Sequence, residues 1–201
     1  QMIVQRELLD KLGRTLWNEC SLSNQSKVFL EGEGDEWFNR NCRFIQSQKP
    51  DLSRELLAKW CSSRKDSISK ILEIGAGDGC QLAYLAGELD ADAFGIEPST
   101  KAVKNWEKCR NEIKGGDKTS LQVGVANKLP FNEDSFDLVV FGFCLYLLDR
   151  KDIYCSIAEA DRVLKDGGLL AIIDFDPSAP YSNQYTHKQG IRSYKNDYSK
   201  I

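Results

Sequence analysis

A chain of 201 residues with 41% hydrophobic and 28% charged side chains can bury one sizeable core, and its formal net charge of -3 gives no electrostatic footprint for nucleic acid. Lys and Arg are dispersed without a basic run interleaved with aromatics, and no stretch approaches the roughly 18 apolar residues of a membrane span. With no charged-then-apolar leader, a soluble cytoplasmic protein without nucleic-acid or membrane partners is expected, and Met2 behind Gln1 reads as the natural start.

Ile3, Leu8, Leu9, Leu12 and Leu16 fall on one helical face and predict a packing helix. A second helix is expected over Asp35 to Gln46, and a third over Leu52 to Cys61 behind Pro50. The second carries Trp37, Phe38, Arg40 and Asn41. Arg40 reads equally well as a bidentate ligand for a carboxylate and as a solvated helix arginine. Residues 1–65 form one expected region, a helical lid, and residues 66–201 the other.

The second region opens with K-I-L-E-I-G-A-G-D-G-C-Q-L, Lys70 to Leu82. Ile71, Leu72 and Ile74 supply the apolar run of a strand covered on both faces, interrupted by Glu73. Gly75, Gly77 and Gly79 let the backbone turn sharply and admit a ligand; a bare strand-to-helix turn is the alternative. The dinucleotide pattern G-x-G-x-x-G would need glycine where Cys80 stands, and the Gly-Lys-Ser/Thr ending of a phosphate loop is absent.

A second strand, Ala93 onward, ends at Glu97, about 20 residues past the glycines, where open α/β folds place a carboxylate for ribose hydroxyls. Glu97 could instead cap the helix expected from Ser99 to Lys114, which Pro98 opens. In the segment Leu121 to Phe131, Ala126 and Asn127 offer backbone and amide groups, and Leu129, Pro130 and Phe131 an apolar wall or turn. Leu138 to Phe141 form a central strand with Gly142, Phe143 and Cys144 at its carboxyl end. A helix terminated by Gly167 and Gly168 precedes a fifth strand ending near Asp176. Ile191 to Tyr194 could start a sixth. Right-handed crossovers between these strands generate an α/β, doubly wound, mostly parallel sheet.

Seven cysteines lie scattered without a C-x-x-C pair, so free thiols in a reducing compartment are expected, and one histidine, His187, leaves no metal site in prospect. Cys80 and Cys144 read as small buried hydrophobes. Candidate bases are Asp174, Asp176, His187 and the phenols Tyr146, Tyr181 and Tyr185; each has a bland alternative as a solvated or packed side chain.

The string E-x-G-x-G-x-G from Glu73 to Gly79, followed by Glu97, the Ala126 to Phe131 stretch and D-S-F-D-L-V-V-F from Asp134, resembles the class I S-adenosylmethionine-dependent methyltransferases. The W-F-x-R-N string at Trp37 resembles one in some uncharacterised bacterial small-molecule methyltransferases. The resemblance implies a Rossmann-like sheet, with Glu73, Gly75, Ala76, Gly77, Asp78, Gly79, Glu97, Pro98, Ala126, Asn127, Phe141 and Phe143 around S-adenosylmethionine. It also implies Arg40 on the cofactor's carboxylate and Trp37 near its sulfonium. Val125 stands where the family has an aspartate that meets the adenine, and Tyr146 where many relatives have histidine. The chain ends where the family adds a helix and an antiparallel hairpin, so an abbreviated carboxyl end is expected.

The resemblance further implies methyl transfer to a small-molecule hydroxyl or amine, of a sugar or natural product, yielding S-adenosylhomocysteine without a metal. Asp176, His187 and Tyr146 are the candidate catalytic residues. Methylation of a protein or RNA, and an inactive cofactor-binding regulatory or assembly subunit, are the alternatives. A monomer or homodimer is expected.

Overall fold

The computed structural model describes residues 22–45 and 50–198. The helix expected around Leu8 to Leu16 lies outside the described residues. Helix α1 (Asn24–Val28) opens at Ser23, whose Oγ accepts a hydrogen bond from the Ser26 N–H at 3.1 Å. A kinked turn over Phe29–Glu33 follows, in which Gly32 adopts φ 148° and redirects the chain into α2 (Gly34–Ile45). Helix α3 spans Leu52–Cys61 as its sequence predicts, because the Asp51 carboxylate accepts from the Arg54 N–H at 2.8 Å and fixes the start.

Five strands, β1 (Lys70–Ile74), β2 (Asp92–Glu97), β3 (Thr119–Val123), β4 (Phe136–Gly142) and β5 (Leu164–Ile173), pair in the order β3-β2-β1-β4-β5. All four pairings are parallel. Helices α4 (Cys80–Leu89), α5 (Thr100–Cys109) and α6 (Arg150–Val163) make crossovers. The apolar runs of β1 and β4 face two core layers. Ile71, Leu138 and Val140 pack with Leu82 and Leu85 of α4. Leu72, Ile74, Val139 and Phe141 pack on the opposite face with Ala160 and Val163 of α6. Each such Leu or Ile stabilises the fold by about 1.5–3 kcal/mol relative to an exposed side chain. Because β1 leads to β2 on one side and neighbours β4 on the other, the carboxyl end of β1 lies at the point where strand order reverses.

Three expectations about element ends change. Regular helix stops at Cys109 rather than Lys114, giving way to a single 3₁₀ turn over Arg110–Glu112. Helix α6 ends at Val163, ahead of the glycines. Gly167, at φ 76°, instead sits in an irregularity of β5 between Leu164, paired with Phe136, and Leu169, paired with Leu138. The segment from Ile191 adds no sixth strand to the sheet. Strands β6 (Tyr181–Gln184) and β7 (Arg192–Lys195) form a separate antiparallel hairpin, and Ile191, just before β7, is buried. Gln25 ties this hairpin to α1: its amide Nε2 donates to the Arg192 carbonyl at 2.9 Å and to the Leu147 carbonyl, and its Oε1 accepts from the Arg192 N–H at 3.2 Å.

Among the described residues Cys42, Cys61, Cys80, Cys109 and Cys144 are free thiols. Cys155 is disulfide-bonded, which corrects the all-thiol expectation, since spacing along a chain does not fix which cysteines meet in space. No described helix is long and apolar enough to cross a membrane, and no described cluster of acids, histidine and cysteines could hold a metal ion.

Candidate functional site

The loop from Gly75 to Gly79 leaves β1 with the Gly75 and Ala76 N–H groups donating to the Ile96 carbonyl at 2.8 and 3.2 Å. Gly75 has φ 80°, and a Cβ there would lie 2.6 Å from the Cβ of Cys144. Gly77, at φ 56°, differs: a Cβ there would meet no atom within 4 Å. The first glycine is required by packing, and the second faces open space. Gly79 caps α4, while Ala76 and Asp78 are buried behind the loop. The Asp78 carboxylate accepts from the Cys80 N–H at 3.1 Å, and burial pushes its pKa up.

That space is a cleft of about 110 Å³, concave and lined mainly by apolar side chains and backbone, as small-ligand sites are. Gly75 and Gly77 form its floor, with Glu97 and Pro98 beside them, Gly124, Val125 and Ala126 on one wall, and Phe143, Cys144 and Leu147 on another. Phe29, Gly34 and Trp37 close it from the α1–α2 side. Phe143 holds a left-handed φ of 49° and remains 40% exposed, so its ring faces the opening rather than the core.

Glu97 is buried, with Oε2 accepting from the Gly77 N–H at 3.0 Å and Oε1 from the Ser99 N–H at 2.9 Å. The cap of α5 is Ser99, whose Oγ accepts from the Ala102 N–H at 3.0 Å. Burial raises the Glu97 pKa to about 7 against those two N–H bonds, with Asp35 and Glu73 adding to the rise. Each carboxylate oxygen keeps a further lone pair for a hydroxyl donor.

Glu73 does not line the cleft. It is buried beneath Gly142 and forms an ion pair with Arg54 of α3. A Cβ on Gly142 would lie 2.3 Å from the Glu73 carboxylate, so a side chain there would have to displace the pair. Burial raises the Glu73 pKa and Arg54 draws it back. The same pairing outweighs burial of Arg54 and holds its guanidinium charged. Oε2 of Glu73 and Nε of Arg54 have no hydrogen-bond partner among the described residues. Sequence reasoning missed Arg54, although an acid inside a buried strand demands a cation.

On the wall after β3, Val125 and Lys128 form an isolated antiparallel bridge that turns Asn127 inward. Both amide atoms of Asn127 are buried without a partner among the described residues, a cost that a hydrogen-bonding ligand would relieve. Phe131 packs edge-on against Phe136 and Phe94, with centroids 4.9 and 6.0 Å away, and so serves as wall.

Several candidates fall elsewhere. Phe141 is fully buried in the core rather than on the cleft. Arg40 donates to Glu33 at 2.5 Å and to the Tyr185 hydroxyl at 2.9 Å, joining α2 to the hairpin instead of entering the cleft. Asp176 and His187 are exposed outside it, His187 against the Tyr185 ring at 5.3 Å. The acid turned inward after β5 is Asp174, which accepts from the Phe175 N–H at 2.8 Å and the Tyr146 N–H at 3.2 Å. Tyr146 stands behind the cleft, its ring 5.0 Å from Phe175; burial raises its pKa and the Trp37 indole draws it back. Trp37 lines the cleft.

Residues 72–172 match the family profile described as a methyltransferase domain. The uncharacterised methyltransferase YcgJ of Bacillus subtilis is 26% identical over 155 residues, 75% of this chain and 58% of that protein. Its crystal structure superposes with a TM-score of 0.50 at 25% identity, covering 58% of this chain and 49% of that one. The ubiquinone/menaquinone biosynthesis C-methyltransferase UbiE of Desulfotalea psychrophila is 33% identical over 122 residues, 58% of this chain and 48% of that protein. The glycopeptide N-methyltransferase MtfA shares the fold, with a TM-score of 0.54 and 17% identity over 71% of this chain and 73% of that one. The chain spans about half the length of the curated relatives it matches.

Proposed function

The chain belongs to the methyltransferase-domain family, in its class I S-adenosylmethionine-dependent branch, and from that premise we propose that the cleft binds S-adenosylmethionine and supports methyl transfer to a small molecule. The observation that carries this reading is the floor at Gly77, open above and hydrogen-bonded below to Glu97. The residues present fit the group. Glu97 keeps acceptor capacity for ribose hydroxyls, the unpaired Asn127 amide and the Val125–Ala126 backbone suit an adenine edge, and the Gly75–Gly77 backbone leaves room for the remainder. Asn127 takes over the polar contact that Val125 has lost.

Bound S-adenosylmethionine supplies a methyl group on a positively charged sulfur, whose departure leaves a neutral thioether. The work left to the protein is alignment and exclusion of water. Phe29, Trp37 and Phe143 supply apolar and aromatic walls for that purpose, and an aromatic face favours the sulfonium charge. Glu97 and Cys144 are the only titratable side chains lining the cleft among the described residues. Glu97 is engaged by backbone N–H groups, and burial raises the Cys144 thiol well above its usual pKa. Neither suits the role of base, and Asp176 and His187 lie outside.

The acceptor is therefore one that attacks without a protein base: an unprotonated amine, a phenol-type hydroxyl or an activated ring carbon. The relative UbiE is a C-methyltransferase of ubiquinone/menaquinone biosynthesis, and methylation at carbon is of that last kind. Of the region before residue 66, α1 and α2 act as the lid. A radiolabelled methyl-transfer screen over small-molecule, protein and RNA fractions tests the assignment. Label entering low-molecular-mass phenols, amines or quinols is the expected result; label entering only macromolecules overturns the small-molecule assignment.

A further inference from the structure

A second cleft, of about 310 Å³, lies between the first turns of α6 and the hairpin β6–β7. Arg150, Tyr154, Tyr181, Tyr194 and Lys195 line it, with Tyr198 below. Both cations are held over rings: the Arg150 guanidinium 5.3 Å from the Tyr194 centroid, and the Lys195 ammonium 3.6 Å from that of Phe175 and 5.9 Å from that of Tyr181. Some basic side chains elsewhere pair with carboxylates, as in Arg40–Glu33, Arg162–Glu159 and Lys165–Asp137. Arg150 and Lys195 have no ion-pair partner among the described residues, in a chain whose net charge is -3. Asp174 feels the Lys195 charge, but its oxygens accept from the Phe175 and Tyr146 N–H groups.

The two clefts are joined by exposed aromatic surface. Phe143, at the mouth of the first, packs edge-on against Phe175 at 5.9 Å, and Phe175 lies under Lys195 of the second. Phe175 and Tyr181 are 38% and 46% exposed, so the surface between the clefts is apolar and open. Ring-held cations are partly ordered before a ligand arrives, and tyrosine hydroxyls add donors; together they match an oxyanion.

We propose that this second cleft binds a carboxylate or phosphate group carried by the methyl acceptor, with Arg150 and Lys195 as its ligands and the Phe143–Phe175 surface beneath the acceptor's apolar body. As an acceptor subsite it rests on the reading of the first cleft as the cofactor site. Substrates are then amphipathic acids, and a neutral analogue loses the anchor while keeping the ring contacts.

The test titrates 2-naphthoate, 2-naphthyl phosphate and the neutral methyl 2-naphthoate into the whole chain, with and without S-adenosylhomocysteine. At least one anion is expected to bind about tenfold tighter than the ester. The variants Lys195→Gln and Arg150→Gln should each erase most of that preference, leaving ester affinity, S-adenosylhomocysteine affinity and melting temperature unchanged. The stronger of the two anions identifies carboxylate or phosphate. Anions that bind no tighter than the ester, or a preference that survives both substitutions, overturn the subsite. Failure of S-adenosylhomocysteine to bind instead overturns the cofactor reading, and the acceptor subsite with it.

Discussion

Along β1 and β4 the side chains from Ile71 to Ile74 and from Leu138 to Phe141 are almost wholly buried, and apolar packing on both sheet faces holds them. The cap is assembled from the α1–α2 segment and the β6–β7 hairpin, more than 100 residues apart in the chain, and polar side chains join its parts. Gln25 bonds the Arg192 backbone, Arg40 bonds Tyr185, Ser26 donates to Asp152 at 2.5 Å, and Asp35 accepts from Ser99 Oγ at 2.7 Å and the Lys101 N–H at 2.8 Å. Net contributions of about 0.5–1.5 kcal/mol per hydrogen bond are enough to dock a segment, yet small enough to let it open for a ligand. The site lies between a floor that should not move and a roof that can.

The largest test of that contrast is Phe141→Ala, expected to cost about 3–5 kcal/mol in denaturant unfolding, because the ring is enclosed in the sheet. S-adenosylhomocysteine affinity of the remaining folded protein should change little, since Phe141 lies off the cleft. Arg54→Met leaves Glu73 buried beside no cation and should cost about 3 kcal/mol. The double variant Arg54→Met/Glu73→Gln should recover part of the loss; a double variant as unstable as the single would show that the pair matters for packing alone.

Gly77→Ala separates binding from folding. Its left-handed φ of 56° costs alanine about 1 kcal/mol, yet the new methyl meets open space within the cleft. Stability should fall slightly and S-adenosylhomocysteine affinity by about tenfold or more. In the cap, Gln25→Ala should cost about 1–2 kcal/mol locally. Hydrogen exchange would speed up in α1 and β7 and stay unchanged in β1 and β4. Uniform acceleration would mean that cap and sheet open together.

The last test is a pH slope. Glu97 titrates at about 7 in the folded protein against a usual carboxylate value of 4.5, so the native state keeps its proton longer than the unfolded chain. Its contribution therefore lowers stability as pH rises from about 4.5 to about 7, and Glu97→Gln should flatten that part of the stability curve. Binding runs the other way: the ionised carboxylate accepts hydroxyl donors best, so wild-type affinity should rise with pH through about 7.

The same division governs what could be read from the amino-acid order. Ile71 to Ile74 and Leu138 to Phe141 announce buried parallel strands because short, β-branched-rich apolar runs followed by glycine fit a strand covered on both faces. Helix α3 begins where Pro50 and Asp51 place it. The glycine loop and Glu97 were legible because backbone freedom and a strand-terminal acid leave local marks. Arg54 was not, since its partner is fixed only when α3 packs beneath Gly142. Arg40 and Asp176 offered suitable chemistry, but long-range contacts send the first to Tyr185 and chain direction after Ile173 leaves the second exposed. Gly167 looked like a helix stop and serves a strand irregularity, because a positive φ is useful in either place.

Isothermal titration of S-adenosylhomocysteine into the wild-type protein and Gly77→Ala, alongside their thermal melts, tests the central claim most directly. One-to-one binding to the wild type, weakened about tenfold or more in a variant that still melts cooperatively, is the expected result. Folded wild-type protein that gives no binding heat at several temperatures, or equal affinity for both proteins, would contradict the assignment of this cleft.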